Sequence, residues 1–213
     1  MRSQAVSFLK KSRVNPCQNK ICDNLPKKIH LWKSVDKKTL RTTKNSVDKI
    51  TLWKKERMKT ILILVGKTTD KHFQAGISDY AERISHYMPF EIITIPELKN
   101  TKSLSEQQQK TMEGELIMKQ LQPSDTVVLL DEHGKEMRSM EYASWLQRTA
   151  NNARRLVFII GGPYGFSPSV YERANDKISL SRMTFSHQMV RLIFTEQLYR
   201  ACTIIKNEPY HHE

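Results

Sequence analysis

"RLVFIIGGPYGFSP", Arg155 to Pro168, decides the fold. Its first half is continuously apolar from Leu156 to Ile160, as a strand is when helices cover both faces of its sheet. Its second half places three of the chain's seven glycines, Gly161, Gly162 and Gly165, within five residues. That cluster ends the strand in a tight loop, with Pro163 stiffening it and Gly165 suited to a positive φ.

Similar apolar runs recur at 60–66 ("TILILVG"), 90–95 ("FEIITI") and 126–131 ("TVVLLD"), beside 155–162 ("RLVFIIGG"). Helical patterns fall between and after them, over about 70–87, 103–121, 139–153, 168–176 and 187–205. Pro89, Pro96 and Pro123 stand at the joins, where a missing N–H breaks no ladder. Strands alternating with helices predict an α/β fold, a mostly parallel sheet with flanking helices. The last helix carries Val190, Ile193, Phe194, Leu198, Ala201 and Ile205 on one face, widened by Met189, Leu192, Tyr199 and Ile204. A helix so broadly apolar lies deep in the core or joins a subunit interface.

The formal charge of +13 over 213 residues is unevenly distributed. Residues 1–57 hold 16 Lys/Arg against 4 Asp/Glu, a net of +12, whereas residues 58–213 hold 19 against 18. The first segment has no glycine and no sustained apolar period, so it is expected to be disordered on its own. Three readings fit it: a basic arm on RNA phosphates, an organelle transit peptide, or sequence upstream of the true start. Met58, followed at once by the first strand, favours the last.

Several classes are disfavoured. No apolar run approaches the roughly 20 residues of a bilayer-spanning helix. Cys17, Cys22 and Cys202 form neither a disulfide framework nor a zinc site, and adjacent His211 and His212 are not spaced for one metal, so no metal is expected and a reducing cytosol is the default compartment. No G-x-S-x-G elbow supports a hydrolase.

In open α/β sheets ligands bind beyond the carboxyl ends of the strands. Three segments can meet there: "LLDEHGKE" (129–136), "GGPYGFSP" (161–168) and "LSRMTFSH" (180–187). Read alone, the glycine loop is an ordinary strand-to-helix turn. Read as a site, Gly161 and Gly162 leave room for a ligand's ring or ribose to approach the backbone. Neither G-x-G-x-x-G nor G-x-x-x-x-G-K-[ST] is present, which disfavours a nucleotide held by its phosphates. A ligand held through adenine and ribose by backbone groups remains, and S-adenosylmethionine suits that description. Ser186 is a natural N-cap for the last helix. His187 and Arg191 lie four residues apart on one face beside the loop; His187 also reads as a capping or surface histidine.

Taken together, "FIIGGPYGFSP", "ISLSRMTFSHQMVRLIFTEQLYRA" and the terminal "NEPYHHE" resemble the RlmH family, the ribosomal RNA large subunit methyltransferases H. The resemblance spans residues 58–213 and includes "MPFEIITIPE"; nothing in residues 1–57 belongs to it. It implies a SPOUT-class α/β domain threaded into a trefoil knot and active as a homodimer. It places the donor, S-adenosylmethionine, on Leu130, Gly161, Leu180, Ser181, Arg182, Met183, Thr184 and Phe185. The implied reaction methylates N3 of a pseudouridine in helix 69 of the 23S RNA on the assembled ribosome. His187, Arg191, Tyr210, His211 and His212 are the implied catalytic candidates, the tail crossing to the other subunit. Many relatives carry a different basic residue where this chain has His212, whose charge depends on pH. Two other readings stand beside this one: a ribosome-associated RNA-binding protein of the same fold without catalysis, and a methyltransferase for another RNA such as transfer RNA.

Overall fold

The computed structural model describes residues 58–98 and 101–212. The readings made for residues 1–57 lie outside the described residues. Five strands are present among the described residues: β1 Lys59–Val65, β2 Phe90–Ile95, β3 Thr126–Glu136, β4 Arg155–Ile160 and β5 Asp176–Ser179. All pair in parallel, in the order β2-β1-β4-β3-β5. Five α-helices accompany them among the described residues: α1 Lys71–Ser85, α2 Glu106–Met118, α3 Ser139–Asn152, α4 Pro168–Arg173 and α5 His187–Ile205.

The apolar runs are continuous because the inner strands are covered on both sides. Leu62, Leu64, Phe158 and Ile160 pack on one face with Ile84 of α1, Tyr142 and Leu146 of α3, and Phe194 and Leu198 of α5. The alternate residues Ile61, Ile63, Val157 and Ile159 pack on the other face with Phe166, Ile117 of α2 and Val170 of α4. Each such side chain contributes about 1.5–3 kcal/mol of burial. α5 therefore belongs to the core, yet Val190, Tyr199, Ile204 and Ile205 along it remain half-buried.

Local chemistry sets the helix starts. Asp70 caps α1 by accepting from the amides of His72 and Phe73. Ser105 and Gln108 form a capping box at α2. Ser186 accepts from the Met189 amide at α5, as the sequence predicts.

Two features differ from expectation. The helix predicted over 168–176 stops at Arg173. Asn175 then bonds to Val127 twice, its amide donating to the carbonyl oxygen and its Oδ1 accepting from the Val127 amide, both at 2.8 Å. Those bonds start β5, whose four residues "DKIS" are too short and too polar to announce a strand. Strand β3 also runs past the predicted end at 131. Residues 131–134 leave the ladder, so that Leu130 and Lys135 both face Ile178. Gly134 makes the return possible, since a Cβ there would lie 2.6 Å from the Ile178 amide nitrogen.

Candidate functional site: a cavity at the strand ends

The carboxyl ends of β3, β4 and β5 open into a cavity of about 580 Å³, within the roughly 300–1,000 Å³ typical of small-molecule sites. Its walls overlap the three predicted segments, at 130–133, 160–166 and 178–185 except Arg182, with His187 and Val190 at the start of α5, Lys110 of α2 and Tyr171 of α4.

The glycine loop is closed on itself. Gly162 and Gly165 form an antiparallel bridge, with the Gly165 amide donating to the Gly162 carbonyl at 3.2 Å. Gly165 has φ +82° with no atom within 4 Å of a would-be Cβ, so backbone conformation, not space, requires glycine there. Phe166 folds back beneath the loop. A Cβ on Gly161 would meet its ring at 3.0 Å, and one on Gly162 would meet Glu113 Oε2 at 2.5 Å. The missing side chains of these two glycines thus make room for Phe166, itself part of the cavity wall, and for Glu113. The loop backbone remains the surface that faces the cavity. Glu113 is buried, and burial raises its carboxyl above the ordinary range, with the Glu97 charge adding to the effect.

The opposite wall is fixed by serines. Ser179 Oγ donates to the Ser181 carbonyl at 3.0 Å, and Ser181 Oγ accepts from the Met183 amide at 2.9 Å. Met183 overhangs the cavity, 77% exposed. The floor carries an acid: Asp131 accepts from Tyr171 Oη and, at 2.8 Å, from the His133 amide. Burial pushes the Asp131 carboxyl up, but those bonds outweigh it and hold the group below its ordinary value. Burial and the Asp131 contact push the Tyr171 hydroxyl up to about 12, so it stays a donor at neutral pH.

The cavity thus has a chemistry that fits S-adenosylmethionine. Loop backbone on two sides offers amides and carbonyls to adenine and ribose, and the ionised Asp131 gives the wall a charge opposite to that of a sulfonium or an ammonium. Among the described residues no cluster of three His, Cys, Asp or Glu could hold a metal ion, and no helix is long and apolar enough to cross a membrane.

Of the predicted donor contacts, Leu130, Gly161, Leu180, Ser181, Met183, Thr184 and Phe185 line the cavity. Arg182 does not; its guanidinium reaches outward to Glu136 at 3.1 Å. Of the predicted catalytic residues only His187 lines the cavity. Arg191, expected beside it, turns inward and is 2% exposed. It donates to the Val65 carbonyl at 2.6 Å and to Thr68 Oγ1 at 2.9 Å, clamping the β1–α1 loop against α5. One turn earlier Gln188 Oε1 accepts from the amides of Thr69 and Asp70, at 3.1 and 2.9 Å. Arg191 is therefore a structural cation in this fold, its guanidinium pulled below its ordinary value by burial against the opposing pull of Glu97. The tail residues lie elsewhere. Tyr210 Oη donates to Glu196 at 3.1 Å, and its ring meets Tyr199 edge-on at 4.8 Å. Glu196 is nine residues along α5 from His187, about 14 Å of helix rise. His211 and His212 follow, and neither lines the cavity. Tyr171 and Glu113 escaped the sequence reading, and Asp131 entered it only as part of the segment 129–136, because no local pattern distinguishes a buried polar side chain that supports a loop from a surface one.

A single parallel sheet with a loop-built cavity beyond its carboxyl ends is the frame of a SPOUT methyltransferase. The family model described as "Predicted SPOUT methyltransferase" matches residues 58–211. The chain is 62% identical over 157 residues to the ribosomal RNA large subunit methyltransferase H of Phocaeicola vulgatus, covering 73% of this chain and all of that protein. It is 63% identical over the same length to that of Bacteroides fragilis and 55% to that of Porphyromonas gingivalis, again covering 73% of this chain and all of each relative. The chain belongs to the ribosomal RNA large subunit methyltransferase H family.

Proposed function

We propose that this protein methylates N3 of the helix 69 pseudouridine in 23S ribosomal RNA, on assembled ribosomes in the cytosol, using S-adenosylmethionine as donor. The observation that carries the proposal is the cavity itself. It gathers loop backbone on two sides, an ionised carboxylate at its floor and His187 at its edge, in a chain whose relatives are named as ribosomal RNA methyltransferases.

The donor supplies a methyl group on a good leaving group; the protein's work is alignment and charge control. The glycine loop and the 179–185 turn hold the donor so that its methyl faces the cavity opening. N3 of the pseudouridine is a weakly acidic imide. As the N–C bond forms and the S–C bond breaks, the N3 proton leaves to solvent or a nearby base. Negative charge developing on the flanking carbonyl oxygens is met by hydrogen-bond donors; His187 is the one of the implied catalytic residues at this chain's own cavity, where Lys110 and Tyr171 also lie. Arg191 is engaged elsewhere, so it has no direct part.

Tyr210, His211 and His212 act across a homodimer in this reading. Their distance from their own cavity supports that assignment. So does the half-buried aromatic patch of Tyr80, Tyr87, Tyr199 and Tyr210 on α1, α5 and their flanks, with the other three ring centroids 4.8–6.0 Å from that of Tyr199. Passage of the segment after β5 through a trefoil knot belongs to the same reading. The near balance of charge over residues 58–213 supports recognition of a composite ribosomal surface over many phosphate contacts.

The test supplies the protein with methyl-labelled donor and, in parallel, assembled ribosomes lacking the modification, free 23S RNA and transfer RNA. Label confined to assembled ribosomes is expected; label in transfer RNA alone would defeat the proposal.

A further inference from the structure

Beside the donor cavity runs a second, open groove of about 720 Å³, sharing Asp131, His133 and Tyr171 with it and continuing past Lys135 to Lys177. We infer that this groove holds the sugar-phosphate backbone of the RNA substrate next to the target nucleotide, with Lys135 and Lys177 as its phosphate contacts. The inference rests on the proposed RNA methyltransferase function and adds where the substrate lies.

The acids of the groove are already engaged. Asp131 accepts from Tyr171 and His133, and Asp176 accepts from Trp145 Nε1 at 3.1 Å and from the Lys177 amide at 2.8 Å. The two ammonium groups are not. Lys135 and Lys177 are exposed, and among the described residues neither is in a salt bridge. Lys177 Nζ rests 5.5 Å from the centroid of the Tyr171 ring, a contact that points the charge along the groove without neutralising it. Glu132 stays on the cavity side of His133, 3.8 Å from its Nδ1.

Hydrogen bonds from neutral donors leave the Asp131 and Asp176 charges in place, so the strip carries both signs; its two cations without a salt-bridge partner suit individual phosphates of a phosphodiester chain, which also offers polar groups. Its continuity with the donor cavity sets the spacing: a nucleotide placed over the cavity has its neighbouring phosphates in the groove. Glu208 of the protein's own tail suits the strip less well, because it already accepts from Tyr87 Oη.

The test compares the full chain with its Lys135→Ala/Lys177→Ala variant. Direct binding to unmodified ribosomes is measured across a salt series, and donor affinity by calorimetry. Two lost phosphate contacts should weaken ribosome binding and reduce the slope of log affinity against log salt by about 1.4–1.8, with donor affinity unchanged. An unchanged slope would overturn the inference. If the variant's loss vanishes once residues 207–213 are deleted, the tail is the occupant and the inference also falls. Because binding is read directly, a failure of methyl transfer in the unaltered protein would count against the proposed function alone.

Discussion

The ring of Phe166 lies under the α-carbon of Gly161, close enough that a Cβ on the glycine would meet ring atom Cε1 at 3.0 Å. Gly161→Val must therefore push Phe166, a member of the core beneath the loop, and displace the backbone that lines the cavity. Donor affinity should fall at least tenfold, on the order of 1.4 kcal/mol or more. Phe166→Leu in the same chain should restore part of it, since the smaller side chain yields the space. Calorimetry showing equal affinity for Gly161→Val and the unaltered protein would refute the buttress.

Arg191→Met should act on stability more than on chemistry. The variant keeps the volume but leaves the Val65 carbonyl without its side-chain donor and frees Thr68. A loss of about 1–3 kcal/mol is expected, or several degrees in Tm for a domain of this size. Thermal unfolding at unchanged Tm together with a collapsed turnover would return Arg191 to a catalytic role.

The fold was legible because its strands are covered on both faces: Leu62 to Leu64 and Val157 to Ile159 cannot alternate with polar residues when both sides are buried. The three cavity segments were legible for the same reason, as strand ends with glycine or small polar residues. The strand that leads into the third was not. Strand β5 depends on Asn175 pairing with Val127, 48 residues away, and no local pattern records such a contact. Gly161 lines the cavity as its place in the sequence suggests, but its contact with Phe166 was not legible: a glycine signals close approach, and only the packing tells of what. The inward turn of Arg191 was invisible likewise, since helical spacing puts it beside His187 without saying which way a long side chain extends.

Tyr171→Phe should change how stability varies with acid. Asp131 sits below its ordinary value partly through the Tyr171 hydrogen bond. A depressed folded pKa gives stability that is present above the unfolded value, about 3.9, and is lost as pH falls through the folded one. Urea midpoints at pH 5 and pH 3 should therefore differ less in Tyr171→Phe than in the unaltered protein. An equal or larger difference would mean that Tyr171 does not hold the carboxylate.

Deletion of residues 207–213 should lower turnover while leaving donor affinity intact, because the tail lies away from its own cavity. Some stability goes with it, since Tyr210 packs on Tyr199 and Arg200. Tyr210→Phe separates the two effects by keeping the packing and removing the Glu196 bond. Full turnover in the deletion variant would refute a role for the tail in the reaction.

The central claim is the methylated atom. Ribosomes from cells lacking the modification, treated with this protein and S-adenosylmethionine, should yield on nucleoside mass spectrometry of helix 69 a pseudouridine heavier by one methyl group, located on N3. An unmodified helix 69 nucleoside, or a methyl group on another atom, would contradict the account.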